Sequence, residues 1–492
     1  MTAPVRTDTP SRWLALLVLC AGFLMIILDQ TVVNVALPSI QRDLGFSQSS
    51  LAWVVNAYLI AFGGLLLLAG RLGDLIGRRR MFLAGLTVFT AASLLCGAST
   101  SAAMLIGARF VQGVGGAMTS AVILGMIVTM FPEARERAKA IGIYSFVAAA
   151  GGGVGLLAGG VLTEALNWHW IFLVNLPIGV AAGVLGSRLI EPDRGIGLGA
   201  GADVAGAALV TSALMLGVYT IVKAADYGWA STHTLGLGAV SLTLLGAFVL
   251  RQARSRNPLV PLGIFRSRHV TGANLVQVLM VAGLFGMFFL GALYLQRVLG
   301  YDAVQVGLAF LPVAVAIGAL SLGLAERLNT RYGPVPVLLP GLASIVAGLA
   351  LFARAPVDAN YVVDVLPVMV LLGVGGGLSF PTLMNLAMSG ATDEDSGLAS
   401  GLVNTTQQVG GALGLAVLAT LSTSRTDQLL DGGETTAAAL TGGFHLAFAV
   451  GAVLVVAGIV LAAVLLRPER AFSSVRGAES ATLALENAEE AA

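Results

Sequence analysis

Long apolar runs follow one another along almost the whole chain and are separated by short polar segments. A helix needs about 20 apolar residues to cross the ~30 Å hydrocarbon layer of a bilayer. Fourteen runs have about that length or more: 13–37, 51–70, 81–99, 102–130, 140–163, 169–190, 203–224, 234–252, 270–295, 303–325, 335–355, 361–388, 397–422 and 443–466. This pattern predicts an all-α polytopic membrane protein, because helices satisfy their own backbone hydrogen bonds in lipid.

Composition and motif content exclude several functional classes. Of the 492 residues, 57% are hydrophobic and 11% are charged, whereas a soluble domain carries about 25% charged residues. No polar segment is long enough for a soluble catalytic domain. The chain has no GxxxxGK[ST] nucleotide loop, no histidine cluster for a metal and no GxSxG nucleophile motif. We therefore predict no enzyme activity, no metal, no organic cofactor and no nucleic-acid partner.

The positive charges of the short loops are distributed unevenly. If the N-terminus is cytoplasmic, 21 of the 27 Lys and Arg residues fall in cytoplasmic segments and 5 in outer segments, while Arg109 lies within a span. Cytoplasmic loops of membrane proteins are enriched in Lys and Arg. We therefore predict that both termini are cytoplasmic.

Two similar segments lie eight spans apart and indicate an internal repeat. GRLGDLIGRRR (70–80) follows the second run and GLAERLNTR (323–331) follows the tenth. Aligning Asp74 with Glu326 places Asn329 opposite Gly77, and asparagine is the next-best residue to glycine for a left-handed turn. Repeated halves are typical of transporters. The predicted division is a tail (1–12), a six-helix bundle (13–194), two linker helices (195–256), a second six-helix bundle (257–466) and a tail (467–492).

Two strongly ionisable residues lie deep within the first predicted bundle. Asp29 is about eight residues, or ~12 Å, below the outer surface, and Arg109 is about seven residues, or ~10 Å, below it. A buried charge costs at least ~2.5 kcal/mol, so we expect the two groups to pair or to share a water-filled cavity. Burial and the guanidinium act on the proton affinity of Asp29 in opposite directions, which favours a proton-exchanging site. The alternative is a static ion pair that only orders the helices.

Four segments resemble motifs of the major facilitator superfamily, and the fourteen-span drug:H+ antiporter branch of multidrug efflux type fits best. They are LDQTVVNVALP (28–38), GRLGDLIGRRR (70–80), GARFVQGVGGAM (107–118) and WIFLVNLPIG (170–179). The resemblance implies the major facilitator fold, with two extra central helices, and proton-coupling roles for Asp29 and Arg109. It also implies a conformational-switch loop made of Gly70, Gly73, Asp74, Gly77, Arg78 and Arg79. For the loop arginines, enforcing topology is the alternative role.

The sequence departs from that branch at two positions. The fifth span usually contains a Gly-Pro pair, but this chain has Gly155 and Leu156, so any bending there depends on glycine. His169 replaces the usual arginine and lies between Trp168 and Trp170. Histidine titrates near neutral pH, but a place in an interfacial aromatic belt is the preferred interpretation.

Polar and aromatic residues within several spans are candidates for the wall of a substrate cavity. Methionine adapts to varied shapes, and aromatic faces attract organic cations. The candidates are Gln112, Gln277, Met280, Phe285, Phe288, Tyr294, Asn404 and Gln407. For the apolar candidates ordinary packing is the alternative, and for the polar ones hydrogen bonding between helices. Trp53, Asn56 and Tyr58, which open the second span, are predicted to form a belt at the outer interface.

Taken together, these features predict a monomeric transporter that works by alternating access in a bacterial cytoplasmic membrane. It would export small amphipathic organic compounds or drugs, with the proton as the coupling ion. A dedicated exporter or H+ symporter of one endogenous metabolite is the alternative within the same class. A membrane scaffold or sensor that moves nothing is the alternative from another class.

Overall fold

A helical architecture accounts for the regular structure of the chain. The computed structural model describes residues 9–47, 50–193, 195–197, 201–389 and 396–466, and these ranges contain no strand. The helices are α1 Thr9–Leu44, α2 Trp53–Ile76, α3 Arg78–Gly97, α4 Ala102–Met130, α5 Ala134–Ala165, α6 Trp170–Leu173, α7 Asn175–Leu189, α8 Val204–Tyr227, α9 Thr232–Arg254, α10 Arg268–Arg297, α11 Ala303–Ala319, α12 Ala325–Tyr332, α13 Pro334–Phe352, α14 Leu366–Ser389, α15 Ser396–Asp431 and α16 Thr436–Leu465. The predicted all-α class is confirmed, whereas most of the two predicted tails lies outside the described residues.

Every one of the fourteen apolar runs coincides with a helix or with two consecutive helices. The sixth run is divided between α6 and α7, and the tenth between α11 and α12 by a π-helical turn at Leu320–Leu324. In the described part of the chain, eleven helical segments are long and apolar enough to cross a membrane, and Val154–Ala165 and Ala303–Ala319 are shorter apolar helices. Helix α15 belongs to neither group, and it carries five consecutive polar residues at 404–408.

The helices pack in the same order in two parts of the chain. In the first half, α1 to α7, helix α1 packs on α5, and α2 and α3 both pack on α4. In the second half, α10 to α16, helix α10 packs on α15, and α11 and α13 both pack on α14. This repetition supports the predicted two-bundle division, whose exact boundaries stay a prediction.

Glycine allows the first and fifth helices of each half to approach closely. A Cβ atom on Gly159 would lie 2.8 Å from the Val32 backbone of α1, and Gly155 faces α1 one turn earlier. In the second half, a Cβ atom on Gly410 of α15 would lie 2.9 Å from the Val278 backbone of α10. Small residues at helix interfaces are typical of membrane bundles. Helix α5 also continues through Gly155 without a break.

The helices run between two ends of the molecule. We name each end after a glycine that lies in a turn there. The Gly77 end contains the α2–α3 turn, defined as residues 74–79, and the α12–α13 turn at Gly333. The Gly45 end contains the α1–α2 and α10–α11 connections. Gly77, Gly333 and Gly45 all have positive φ angles, which glycine adopts without the steric cost of a Cβ atom.

The two halves contact each other closely at the Gly45 end. Helix α5 crosses α11 there, and a Cβ atom on Gly307 would lie 2.7 Å from the Leu156 carbonyl oxygen. In addition, Gln296 Nε2 of α10 donates a hydrogen bond of 2.8 Å to the Val35 carbonyl of α1. The structure is therefore closed at the Gly45 end.

Helices α8 and α9 form a central hairpin that packs against both halves. Helix α8 packs on α2 of the first half and on α15 of the second half, whereas α9 packs mainly on α8. Only 6% of the most apolar stretch of α9 is buried, and this stretch is apolar enough to face lipid. The predicted pair of linker helices thus forms one hairpin beside the junction between the halves.

The predicted alignment of the two repeated loops is wrong by one helical turn. Asn329 lies inside α12, and no non-glycine residue among those described has a positive φ. The turn falls instead at Gly333, with a φ of 86°, which corresponds to Gly77 with a φ of 104°. The left-handed backbone conformation costs far less free energy at glycine than at asparagine. The helix therefore continues past Asn329 and ends at the glycine four residues later. In the corrected alignment Thr330 stands opposite Asp74, so the second copy lacks the acidic residue.

Candidate functional site

Asp29 and Arg109 form an ion pair in the interior of the first half. Asp29 lies in the middle of α1 and Arg109 in the first half of α4, and each is 1% exposed. Nη1 of Arg109 donates a hydrogen bond to Oδ2 of Asp29. The expected proximity of the two charges is therefore present in the structure.

Side chains from further helices complete a polar network around the carboxylate. Oδ1 of Asp29 accepts hydrogen bonds of 2.7 Å from Gln112 Nε2 and 3.1 Å from Asn175 Nδ2. Gln112 Nε2 also donates to Ser93 Oγ at 2.8 Å. Helices α1, α3, α4 and α7 thus all contribute to the network. Buried charges persist in proteins when they are paired and hydrogen-bonded in this way.

The guanidinium of Arg109 is held from its other sides by backbone and aromatic groups. Nε donates a 2.9 Å hydrogen bond to the Val54 carbonyl of α2, and Nη1 donates at 2.6 Å to Gln112 Oε1. Its central carbon lies 4.4 Å from the Tyr58 ring centroid and 5.6 Å from the Phe172 ring centroid. A cation over an aromatic face, away from water, is stabilised by about 2 kcal/mol. Arg109 therefore keeps favourable partners besides the carboxylate.

This arrangement makes the ionisation of Asp29 depend on Arg109. A proton added to the carboxylate removes the partner charge of the guanidinium, and an uncompensated buried charge is strongly destabilising. Protonation is therefore favourable only if Arg109 moves or relies on its other partners. The pair can act as a proton-dependent switch between helices, and equally it can serve as a static brace.

The α2–α3 turn forms a second cluster, at the Gly77 end. Arg78 donates hydrogen bonds to Asp74 Oδ1 at 3.0 and 3.1 Å and to the Gly125 carbonyl of α4 at 3.1 Å. Gly77 supplies the positive φ that the turn requires, and Gly73 is in close contact with Val122 of α4. These contacts fix the end of α2 against α3 and α4.

Two remaining residues of the predicted switch loop have different surroundings. The side chain of Arg79 donates to the Ser187 carbonyl of α7. A Cβ atom added at Gly70 would fit without a clash, because its nearest neighbour would be Ala121 Cβ at 3.9 Å, an ordinary van der Waals distance. Gly70 is thus the one loop glycine for which the structure gives no packing or backbone reason.

The candidate cavity residues do not form one cluster. Gln112 belongs to the Asp29 network, at a different place from the others. In the second half, Gln277 is buried with its Oε1 unpartnered among the described residues, and Met280 is fully buried in packing. Asn404 is exposed and Gln407 is half-buried on α15. Their assignment to a substrate cavity stays a prediction.

The aromatic candidates of α10 pack mainly within the second half. Tyr294 is buried and donates a 2.6 Å hydrogen bond to the Pro356 carbonyl. Phe288 is half-buried, with its ring centroid 5.6 Å from that of Phe310 in α11. Phe285 is half-buried and lies against Gly411 of α15. Of the three, Phe285 and Phe288 retain accessible surface in this conformation.

The predicted belt at the start of α2 is wrong. Trp53, Asn56 and Tyr58 are all buried, with Asn56 and Tyr58 fully enclosed. They face inward because the first turns of α2 pack along α4, where Tyr58 contacts Arg109. Both amide atoms of Asn56 lack a partner among the described residues.

His169 lies at a junction of three helices at the Gly45 end. Its ring stacks on Trp168 with centroids 3.8 Å apart, and Nδ1 is 3.0 Å from the Gly97 carbonyl of α3. Nε2 is 3.6 Å from Asp43 Oδ2 of α1, and Trp168 Nε1 donates to the same oxygen at 2.9 Å. Trp168 is buried and Trp170 is exposed. His169 therefore has specific polar partners in addition to its aromatic neighbours.

Sequence reasoning missed Asn175 and Ser93 as members of the Asp29 network. Both are small polar residues inside apolar runs, where hydroxyl and amide groups commonly bond to their own helix. Asn175 lies in the WIFLVNLPIG segment (170–179), which resembles a family motif, and this was the one sequence signal that pointed to it. The resemblance by itself assigns no role to Asn175.

The chain is similar in sequence to known proteins over most of its length. Residues 19–415 match the family described as Major Facilitator Superfamily. The chain is 41% identical over 489 residues to the puromycin resistance protein pur8 of Streptomyces alboniger, covering 98% of this chain and 96% of that protein. It is 39% identical to the cephamycin export protein CmcT of Amycolatopsis lactamdurans, covering 85% and 87%. It is 34% identical to the tetracenomycin C resistance and export protein of Streptomyces glaucescens, covering 84% and 76%.

Solved structures with low sequence identity share the architecture. A bacterial homolog of the human lysosomal transporter Spinster, in an inward-facing and unoccupied conformation, aligns with a TM-score of 0.67 at 16% identity, covering 92% of this chain and 96% of that one. The human organic anion transporter MFSD10 aligns with a TM-score of 0.61 at 15% identity, covering 92% and 99%. These likenesses concern the fold alone.

Proposed function

The chain belongs to the Major Facilitator Superfamily, and from this premise we propose that it exports antibiotic-like organic compounds in exchange for protons. It is a multi-pass bacterial membrane protein and a transporter of small molecules rather than an enzyme. Its relatives are named for resistance to, or export of, puromycin, cephamycin and tetracenomycin C. These names support drug efflux as the direction and class of transport.

The proton-coupling part of the proposal rests on the buried, hydrogen-bonded network around the Asp29 carboxylate. A carboxylate at this depth is costly and in membrane proteins typically marks a proton or ion pathway. In the proposed cycle, protonated Asp29 releases Arg109, whose charge is then held by Gln112 Oε1, the Val54 carbonyl and the Tyr58 ring. Loss of the proton restores the pair. The two protonation states thereby favour different arrangements of α1, α4 and α7, and no cofactor besides the proton takes part.

The orientation in the membrane follows from loop charge. The α2–α3 turn and the residue after it carry three consecutive arginines, Arg78, Arg79 and Arg80, and cytoplasmic loops are enriched in such residues. We place the Gly77 end in the cytoplasm of a bacterial cell, with both termini on that side and a monomer as the working unit. In this orientation the closed Gly45 end faces outward, which suits an exporter that takes up its substrate from the cytoplasm.

A second candidate is an exporter dedicated to one compound. The specific observation in its favour is that two relatives are each named for the export of a single compound. In that case Gln277, buried with an oxygen unpartnered among the described residues, would bond one defined substrate group instead of tolerating many. A competition series separates the two candidates, since a broad exporter accepts several unrelated compounds.

The test uses purified protein in liposomes with an imposed pH gradient. Uptake or efflux is followed for puromycin, cephamycin, tetracenomycin C and a lipophilic cation, in wild type and in Asp29→Asn. We expect gradient-driven flux of at least one compound in wild type and none against its gradient in Asp29→Asn. The matched control is Asp358→Asn, which neutralises an exposed carboxylate near the Gly45 end and keeps full flux.

Two results would overturn the proposal. If Asp29→Asn still concentrated the compound as wild type does, the carboxylate would not be the coupling site. If folded wild-type protein moved none of the compounds and generated no proton flux in their presence, the export function itself would be wrong.

A further inference from the structure

The carboxylate of Asp193, which follows α7, caps the first turn of α3. Oδ1 accepts a hydrogen bond of 3.0 Å from the Arg79 backbone amide, and Oδ2 accepts one of 2.5 Å from the Arg78 amide. The first amides of a helix lack partners within the helix, and the helix dipole attracts negative charge there. Asp193 thus connects the end of α7 to the α2–α3 turn.

Backbone bonds beside Asp193 reinforce this connection. The Ile196 amide donates to the Asp74 carbonyl at 3.0 Å, and the Gly197 amide donates to the Leu75 carbonyl at 3.0 Å. A Cβ atom on Gly195 would collide with the Leu75 carbonyl, so this close approach requires glycine. The end of α2 therefore has partners on the segment that leads into the central hairpin.

A second carboxylate, Asp203, fastens the base of the hairpin. It caps α8 by accepting from the Gly206 amide at 2.9 Å, and it accepts from Arg251 Nε at 2.6 Å and Gln252 Nε2 at 2.8 Å, both in α9. Its side chain is 1% exposed. The start of α8 and the end of α9 are thereby held together.

The same cluster reaches the connector to the second half. Gln252 Oε1 accepts a 3.1 Å hydrogen bond from the Val260 amide, and residue 260 lies between α9 and α10. On the other side, Arg71 Nε near the end of α2 donates to the Gly201 carbonyl at 3.3 Å. A series of polar contacts consequently runs from the α2–α3 turn, through the base of the hairpin, to the connector before α10.

We propose that Asp193 is a positioning residue for the α2–α3 turn, and that the α8–α9 hairpin links this turn mechanically to the second half. The hairpin is suited to this because α8 also packs on α2 of one half and α15 of the other. A rearrangement of the turn then moves the base of the hairpin and, through Val260, the entry to α10. The inference rests on the proposed transport function.

The test compares Asp193→Asn with wild type in two independent measurements. The first is the rate of gradient-driven transport, separated into kcat and KM. The second is the distance between spin labels at Glu133→Cys and Thr330→Cys, positions at the Gly77 end of the two halves. The natural cysteines, Cys20 and Cys96, are buried and are not expected to react. We expect kcat to fall about tenfold with KM within twofold, and the distance distribution to change.

Matched variants separate positioning from general damage. Glu191→Gln removes an exposed carboxylate two residues away that makes no hydrogen bond to the α2–α3 turn among the described residues, and it should behave as wild type. Asp193→Glu keeps the charge and should recover at least half of the lost kcat. Asp203→Asn tests the second fastening and should also change the distance distribution.

Three outcomes decide the matter. A wild-type kcat and a wild-type distance distribution in folded Asp193→Asn would overturn the inference. The same loss in Glu191→Gln would also overturn it, because the effect would then be one of charge alone. The distance measurement needs no transport, so a protein that changes conformation but moves no compound would contradict the proposed function without contradicting this link.

Discussion

At the scale of single residues, the Asp29–Arg109 pair illustrates how a costly group is retained in an apolar interior. Each ion would lose several kcal/mol on leaving water. The structure offsets this loss with hydrogen bonds from Gln112 and Asn175 to the carboxylate and with the Tyr58 face against the guanidinium. Each charge is therefore tolerated because the other is present.

This mutual dependence gives a prediction about stability. Arg109→Ala leaves the Asp29 charge buried without its partner, so the free energy of unfolding should fall by roughly 3–5 kcal/mol. Adding Asp29→Asn should restore part of the loss, because a neutral amide replaces the unpaired charge. Unfolding of wild type and of these two variants in detergent, followed by circular dichroism, measures the effect. Arg425→Ala, an exposed arginine on α15, is the control and should change little. Equal stability of Arg109→Ala and wild type would contradict the pairing argument.

The pairing of Asp29 and Arg109 was predictable from sequence because depth in a span can be counted along the chain. The partners Ser93 and Asn175 were not, since their contribution depends on how far α3 and α7 rotate about their axes. The error at Tyr58 has the same cause, because the sequence does not specify the rotation of α2 about its axis. Tyr58 was predicted to lie at the membrane interface, but it faces Arg109. Sequence position fixes the height of a membrane residue better than its direction.

At the scale of elements, α5 is organised by glycines at intervals of four residues. Gly151, Gly155 and Gly159 all face α1, because residues four apart lie on the same side of a helix. Gly152, on another side of α5, has no atom within 4 Å of an added Cβ. One helix thus offers both a crowded and an open glycine for comparison.

The contrast predicts opposite effects of the same substitution. In Gly159→Ala the new methyl group meets the Val32 backbone, which cannot move without shifting α1, so stability should fall by about 1–3 kcal/mol. In Gly152→Ala the methyl group has room, and the higher helix propensity of alanine should leave stability equal or raise it by up to about 1 kcal/mol. Melting temperatures of the two variants check this. Equal losses in both would mean that glycine matters in α5 for flexibility rather than packing.

The helices themselves were largely predictable, because apolar runs of about 20 residues have few other solutions in lipid. The end of α12 was not. A short sequence match predicted the turn at Asn329. In the structure the turn lies at Gly333, which has the positive φ of 86° that is typical of a turn glycine. A weak sequence repeat therefore predicts that a turn exists, but the predicted position can be wrong by about four residues, or one turn of helix.

At the scale of the whole molecule, closure of the Gly45 end depends on contacts between α5 and α11. Gly307 is central to them, because a Cβ atom there would press on the Leu156 carbonyl. Any side chain at this position opposes the closed arrangement but not an open one.

Gly307→Ala should therefore shift the balance of conformations toward opening at the Gly45 end. An overpacking energy of about 1–3 kcal/mol corresponds to roughly a 5- to 150-fold change in the ratio of states. Spin labels at Glu164→Cys and Asp358→Cys, exposed positions near that end of each half, report the change as a larger population of long distances. Gly107→Ala, where an added Cβ meets nothing within 4 Å, should leave the distribution as it is. An unchanged distribution in Gly307→Ala would show that closure does not rely on this crossing.

The enclosure of the Asp29 network within the first half has an evolutionary consequence. In the described part of the chain, the side chains that donate hydrogen bonds to the carboxylate belong to α4 and α7, whereas most candidate cavity residues lie on α10 and α15 of the second half. Under the proposed assignments, selection by a new antibiotic would act mainly on the second half, while the first half, which would draw on the proton gradient, would stay constant. Lineages that meet different toxins would then differ in the compounds that they export and share the same proton-coupling network.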